Sequence, residues 1–474
     1  MFDSMCWSNN LKKLFILIFT LLSVMACEQH TQEKITLGTS ADYPPFEHIQ
    51  EGKIVGLDID VAQFIAKRLN KELVIQDMDF GGLIPALNSG KVDFVMAGLS
   101  ISEERKKNVD FTLAYFEPQF TLLTLKDKPI SDLNHLADKK IGVQLGSVME
   151  SFLKDLQEKL PTLTLESLPK NIPLIQNLKL GRLDGVMVED AQANAFVAAN
   201  PGLIANNLPG SQGEYAIALS KNSHWLSDFN IAINDLKQSG ELERIKQKWI
   251  ENQDNKQHTN SYGWVLYIIK GLGVTLEFTI ISVLCGLVIG VILALANLSN
   301  RCLFQTPAKF YISIFRGTPL LLQLSFVYFA TPSLTGYNIS IFLAGVTAFS
   351  LNSGAYIAEI IRAGIQSVDK GQFEASQALG VPYTLMIKDI ILPQSFRNIL
   401  PALVNEMVNM LKESAIISTI GAADLMKRAQ VVSAEQYTYF APLLVAAGCY
   451  YITVFILSHF ATRLENKLSL AHHD

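Results

Sequence analysis

Charge is nearly absent from a long stretch of this chain. Between Gly271 and Ile361 the charged residues are Glu277, Arg301, Lys309, Arg316 and Glu359 alone, which excludes a water-facing domain surface there. Cysteine is scarce as well. The five in 474 residues (Cys6, Cys27, Cys285, Cys302, Cys449) form no CxxC pair, so neither a disulfide scaffold nor a zinc site is supported. There is no GxxxxGK followed by Ser or Thr, and hence no phosphate-cradling loop. A net charge of −5 offers no basic surface for nucleic acid. With 49% hydrophobic and 18% charged residues, the chain is neither collagenous nor disordered, and a cytosolic enzyme is excluded.

What is present is a polar half followed by an apolar half. Lys12 and Lys13 precede an apolar run from Leu14 to Leu22, the order of a secretory signal over 1–27. Val24-Met25-Ala26-Cys27 resembles the lipobox of bacterial lipoproteins, which implies lipidation of Cys27; an uncleaved signal anchor is the alternative. Either way Glu28 onward is expected to be exported.

Ile35 to Thr39 reads as a strand. A helix follows from Asp58, with Val61, Phe64, Ile65 and Leu69 on one face, and Val92 to Gly98 is the next strand. A second alternating set begins at Lys140-Ile141-Gly142-Val143-Gln144 and includes Gly185 to Glu189. Two α/β lobes with a cleft between them are expected. In Ser102-Glu103-Glu104-Arg105, Ser102 is a good helix cap, yet Arg105 puts a cation near the positive end of the helix. An anion bound there accounts for this, with Gly98 allowing close approach and Ser100 offering a hydroxyl. Pairing of Arg105 with Glu103, Glu104 or Asp110 on a solvated face accounts for it equally.

Four ordered blocks carry a resemblance: Ala41 to Glu47, Val55 to Asp60, Met78 to Leu87, and Ala97 to Arg105. Together they resemble the polar amino-acid solute-binding proteins of bacterial ABC importers over roughly 33–252. The resemblance implies a type II two-lobed periplasmic binding protein, with lobe one at about 33–124 and 215–252 and lobe two at about 125–214. It implies that Arg105, Ser100 and the Gly98 backbone hold an α-carboxylate, with Ser147 closing over it, and that Glu189 meets the α-ammonium. Tyr43 and Phe80 would enclose the side chain. Ordinary core aromatics and a surface acid are the plainer readings of these last three. Relatives that bind basic amino acids often carry an acid at the position of Ser40; Asp42 or Gln144 is the substitute here. Arginine, lysine and glutamine all stay open as ligands.

The polar stretch 253–265 reads as a linker. An all-α membrane domain over 266–465 follows, with about five transmembrane helices near 268–297, 309–331, 340–361, 394–420 and 437–461, and a cytoplasmic tail over 466–474. This topology puts Arg301, Lys309, Lys370, Lys388 and Arg397 inside; Lys427 and Arg428 fall outside, an exception to the rule that cations stay inside. Over 371–393, Glu374 to Gly380 and then Ile390 to Pro393 read as a helix stopped at Gly380, restarted at Pro382 and ended before Pro393. This stretch resembles the EAA motif of ABC permeases, which implies an ATPase-coupling loop carried by Glu374, Ala375, Gly380 and Pro393. Arg316 to Leu320 and Asn352 to Arg362 resemble the polar amino-acid subgroup. Glu406, Lys412 and Glu413 stand in or near an apolar segment, where ionisable residues mark a substrate path.

The resulting expectation is an amino-acid ABC transporter subunit in the bacterial inner membrane, with its receptor outside. It binds no metal, cofactor or nucleic acid of its own, and ATP is hydrolysed by separate ATPase chains. It contacts lipid and dimerises through the permease. An amino-acid-gated channel or a sensor receptor is the competing class, and an enzyme on the same fold is a weaker one.

Overall fold

The computed structural model describes residues 33–50, 52–250, 263–299, 301–436 and 438–470. The expected signal, Cys27 and the linker up to residue 262 lie outside the described residues.

The polar half contains strands β1 (Lys34–Thr39), β2 (Asp42–Tyr43), β3 (Glu47–Gln50), β4 (Lys53–Val55), β5 (Glu72–Asp77), β6 (Phe94–Val95) and β7 (Val109–Phe111). Next come β8 (Gln119–Leu125), β9 (Lys140–Gln144), β10 (Thr164–Leu168), β11 (Gly185–Glu189) and β12 (Leu203–Gln212); β13 (Ala218–Ser220) returns to the first group. Two five-stranded sheets result, ordered β5-β1-β6-β13-β7 and β10-β9-β11-β8-β12, with β2-β3-β4 as a separate ribbon. Strand β1 lies parallel to both its neighbours, the arrangement that helical crossovers produce. Helix α1 (Leu57–Arg68) turns Ile59, Val61, Ala62 and Ile65 into the core, and Phe64 and Leu69 pack at its margin. The short α2 (Glu103–Lys106) follows in lobe one, and α3 (Val148–Lys159) opens lobe two.

The lobe boundary differs from the expected one. Strand β8 was assigned to lobe one, but it pairs with β11 and β12, so lobe two begins at Gln119. An isolated strand reads the same in either sheet; only its pairing decides.

The apolar half consists of α4 (Gly263–Asn297), a bent pair Cys302–Gly317 and Leu320–Thr335, α5 (Ile341–Gln366), α6 (Lys370–Ala378), α7 (Leu392–Glu413), α8 (Leu425–Glu435) and α9 (Phe440–Leu470). Helices α4 and α5 touch closely because Gly286 and Gly290, four apart, face Ser353 and Ile357. Among the described residues, three helices (α4, α5, α9) are long and apolar enough to cross a membrane, and the bent pair, with 104° at its break, makes a fourth if it is one span. The expected count of about five is therefore not met by composition. Its missing member is α7, 22 residues long but carrying Arg397, Asn405, Glu406, Asn409 and Lys412. It packs against α5 and α9, and Glu406 is buried there, whereas Asn405 and Lys412 stay exposed.

The 371–393 hairpin is also different in one respect. Helix α6 does stop at Gly380, and a helical turn restarts after Pro382, but there is no break before Pro393. A π-helical stretch, Met386–Ile391, runs directly into α7, with Pro393 just past it. Val368, Met386 and Ile391 form the hairpin's own small core.

Candidate functional site

The lobes enclose a cleft of about 370 Å³. All nine expected cleft residues line it: Ser40, Tyr43, Phe80, Gly98, Ser100, Arg105, Gln144, Ser147 and Glu189. Most of them converge because they sit at or just past the ends of β1, β6, β9 and β11, the rim at which α/β sheets place ligands; Tyr43 comes from β2, Phe80 from after β5 and Arg105 from α2.

Arg105 is held by two backbone carbonyls, one from each lobe. Its guanidinium donates to Ser100 O and to Gly146 O, both at 2.7 Å, and lies 5.5 Å over the Phe80 ring. The solvated-face alternative fails for two of its three acids, because Glu103 pairs with Lys106 and Asp110 with Lys221; Glu104 acts on the guanidinium through its charge alone. Burial pushes the guanidinium down to about 10, which leaves it charged and short of counter-ions.

Two expected contacts are corrected. The Gly98 N–H donates to Asp58 Oδ2 at 2.9 Å and so cannot receive a carboxylate. The Ser147 hydroxyl is equally committed: it donates to Gln144 O at 2.7 Å and accepts from the Glu150 N–H as the cap of α3. What Ser147 does instead is expose the start of α3. There the first-turn amides of Val148 and Met149, which line the cleft, have no acceptor within the helix.

Glu189 ends β11 with 3% of its surface exposed. Burial raises its pKa to about 7, against the pull of the Tyr215 hydroxyl. Ser40 donates to Asp42 Oδ1 at 3.1 Å, and Asp42 also pairs with Lys170 at 2.6 Å. Gln144 turns its amide to Pro169 O at 3.1 Å.

Glu47 was missed by sequence reasoning. It lines the cleft from β3, fully buried, and stands against Asp58. Burial first, and then the like charge of Asp58, raise Glu47 well above the usual carboxylate range; burial lifts Asp58 to about 6. The signal available in the sequence was an acid directly after Pro44-Pro45-Phe46, inside a block that carries the binding-protein resemblance.

In the apolar half, Glu374, Ala375 and Gly380 stand exposed on the hairpin, and Pro393 lies at the start of α7. Leu379 and Tyr383, 81% and 73% exposed, form an apolar tip between them. The two other motifs meet. Glu359 pairs with Arg362 at 2.8 Å and with Arg316 at 3.5 Å, while Asn352 donates to Phe315 O at 3.1 Å. Glu406 is buried and accepts from the Ser353 hydroxyl at 3.2 Å, whereas Lys412 and Glu413 are exposed where α7 breaks.

Residues 35–252 match the bacterial extracellular solute-binding proteins, family 3, and residues 286–469 match the binding-protein-dependent transport system inner membrane component. The chain is 56% identical over 207 residues to the putative glutamine transport system permease protein GlnP of Rickettsia typhi, covering 44% of this chain and 95% of that one. It is 50% identical over 202 residues to the arginine transport system permease protein ArtQ of Bacillus subtilis, covering 43% and 92%. To the arginine-binding extracellular protein ArtP of Bacillus subtilis it is 37% identical over 225 residues, covering 47% and 88%. A receptor with a polar cleft and a bundle of membrane helices, each matched almost end to end by separate proteins, place this chain in both families: it is the fused binding protein and permease of an amino-acid ABC transporter.

Proposed function

We propose that the receptor captures a basic amino acid, arginine in preference to lysine, on the outer side of the bacterial cell membrane and passes it to its own permease half for import. The carrying observation is the surplus acid Glu47. Arg105 and the α3 amides take the α-carboxylate and Glu189 takes the α-ammonium, so these charges cancel. Asp42 is already paired with Lys170. Glu47 is left to meet a cation on the ligand side chain, with Tyr43 and Phe80 enclosing its aliphatic part. The similar proteins are named for glutamine and for arginine. The unneutralised acid favours arginine.

Titration of the full chain in lipid nanodiscs with L-arginine, L-lysine and L-glutamine tests this. Arginine is expected to bind most tightly. Glu47→Gln should weaken arginine about 10- to 100-fold, the range for losing one partner of a buried charge pair, and leave glutamine within about twofold. Because the substitution also removes like-charge crowding against Asp58, the thermal midpoint should hold or rise. Tighter glutamine than arginine binding, or arginine binding indifferent to Glu47→Gln, overturns the ligand assignment.

Affinity should depend on pH with a definite sign. In the empty cleft burial raises Glu189 to about 7 and lifts Glu47 well above the usual carboxylate range, whereas a bound cation favours both ionised forms. Binding at neutral pH therefore releases protons, and affinity should fall as pH drops below about 7. Calorimetry in buffers of different ionisation enthalpy reads the proton count directly. Zero release across about pH 6 to 8 removes both carboxylates from the ligand.

The hairpin at 371–393 would dock a separate ATPase chain through Glu374, Ala375, Gly380 and the apolar tip, with two copies of this chain completing one importer. Glu406 would face the substrate path, and Cys27 would carry lipid.

A further inference from the structure

The receptor touches the permease differently with its two lobes. Lobe one is anchored at several points. Asp77, at the end of β5, pairs with Lys427 of α8 at 2.6 Å, with the two side chains 8% and 3% exposed. The Asp79 N–H donates to Thr419 O at 3.2 Å. Gly421, at φ 91°, lies so close that a Cβ there would sit 1.7 Å from Asp77 O. On the other side, the buried Lys91 donates to Ile339 O and lies 4.1 Å over the Tyr328 ring, and Phe329 packs against lobe one's apolar cluster.

Among the described residues, lobe two is tied to the permease through Lys170. Its ammonium group donates to Asp42 Oδ2 at 2.6 Å and lies 3.5 Å from Asp79, both in lobe one; it also donates to Gln430 Oε1 of α8 at 3.1 Å. A single cation from the second lobe thus meets two acids of the first lobe and one amide of the permease. The spot borders a second cavity of about 500 Å³ that shares Asp42, Tyr43 and Gln144 with the amino-acid cleft and is walled on its far side by Gln430 and Tyr439. The closing edge of the cleft therefore faces α8.

We propose that Lys170 is a closure latch: when the lobes close, it ties lobe two at once to Asp42 and Asp79 and to Gln430, so that the permease holds the closed receptor more tightly than the open one. The proposal rests on the reading of the cleft as an amino-acid site. With lobe one fixed by Lys427 and Lys91, opening the cleft moves lobe two, and the Lys170 ammonium leaves all three partners together. Coupling of this kind is reciprocal: the permease contact strengthens ligand binding by the same factor by which ligand strengthens the contact.

A double-mutant cycle on the full chain in nanodiscs tests the latch, using radiolabelled L-arginine and, in parallel, the other common amino acids as probes. Lys170→Met is expected to weaken binding about tenfold and Gln430→Leu about fivefold. Gln430→Leu on top of Lys170→Met should cost no more than Lys170→Met alone. A residue that merely glued the lobes together would leave Gln430→Leu at wild-type affinity, and a residue needed only for folding would give additive losses; either result overturns the latch. Spin-label distances between lobe two and α8 supply a second reading. The wild type should shorten and narrow its distribution on adding ligand, and Gln430→Leu, a change in α8 outside the receptor, should not. If the wild type binds none of the amino acids, the amino-acid reading itself falls and the latch with it. If it binds and the cycle is additive, the latch falls alone.

Discussion

Arg105→Ala is expected to lower amino-acid affinity at least about 100-fold, the largest effect of any single change in the cleft. The guanidinium has five N–H donors, and two are fixed by Ser100 O and Gly146 O. Those two bonds orient the fork without neutralising it, so it waits in a dehydrated cleft for an anion. Removing it leaves the ligand carboxylate facing only the amides at the start of α3, in surroundings where an uncompensated charge costs about 3–5 kcal/mol. It also cuts the one side chain that touches both lobes at the carboxylate end. Arg105→Lys keeps the charge and loses the planar fork, so it should recover only part of the affinity. Titration of the full chain gives the numbers, and an unchanged circular dichroism spectrum separates lost binding from lost fold. Affinity retained within about threefold would move the carboxylate away from Arg105 and onto the helix terminus alone.

The convergence of the cleft was legible because strand and helix periods locate the rims of the two sheets. Ser40 and Glu189 stand at strand ends and Arg105 in the short helix after β6, although they are far apart in sequence. What those side chains bond to was not legible. Ser147 and Gly98 are in place, yet the hydroxyl caps α3 and the amide serves Asp58, because competing partners are brought up by tertiary packing. Glu47 was hidden for a related reason: only the ribbon's fold against Asp58 shows that its carboxyl points inward. In the membrane half, helix existence was readable from composition except at α7, which is polar and is held by packing against α5 and α9 with Glu406 buried. Lys427 and Arg428, which broke the charge rule for outer loops, are explained by contacts outside the bundle's own logic. Lys427 is buried on Asp77 of the receptor, and Arg428 lies 4.7 Å over Tyr267 and donates to Ala423 O at 3.1 Å. Lys427 was thus the sequence's trace of the surface that meets the receptor.

Gly380→Val should bring ATP-driven uptake below about a tenth of wild type while leaving amino-acid affinity within about twofold. Gly380 sits at φ 72°, where a β-branched residue costs on the order of 1–2 kcal/mol, yet a Cβ there meets nothing within 4 Å in this chain. The strain therefore falls on the path of the turn between Leu379 and Tyr383, the exposed apolar tip, rather than on the hairpin core of Val368, Met386 and Ile391. Helix α5 has 26 residues, a length of about 39 Å at 1.5 Å per residue, and separates the hairpin from the end of the bundle that carries the receptor. A local change at one end is not expected to reach the cleft at the other. Gly380→Asn supplies the control, since asparagine tolerates positive φ better than other residues; it should restore most of the uptake if backbone path is what matters. Uptake of labelled arginine by cells carrying the chain together with its ATPase subunit, set beside binding by the purified chain, separates the two effects. Normal uptake in Gly380→Val would mean that the hairpin's tip does not carry the coupling. Lost uptake in both variants would place the requirement on the absence of a side chain at 380, the result expected if an ATPase groove closes directly over the turn.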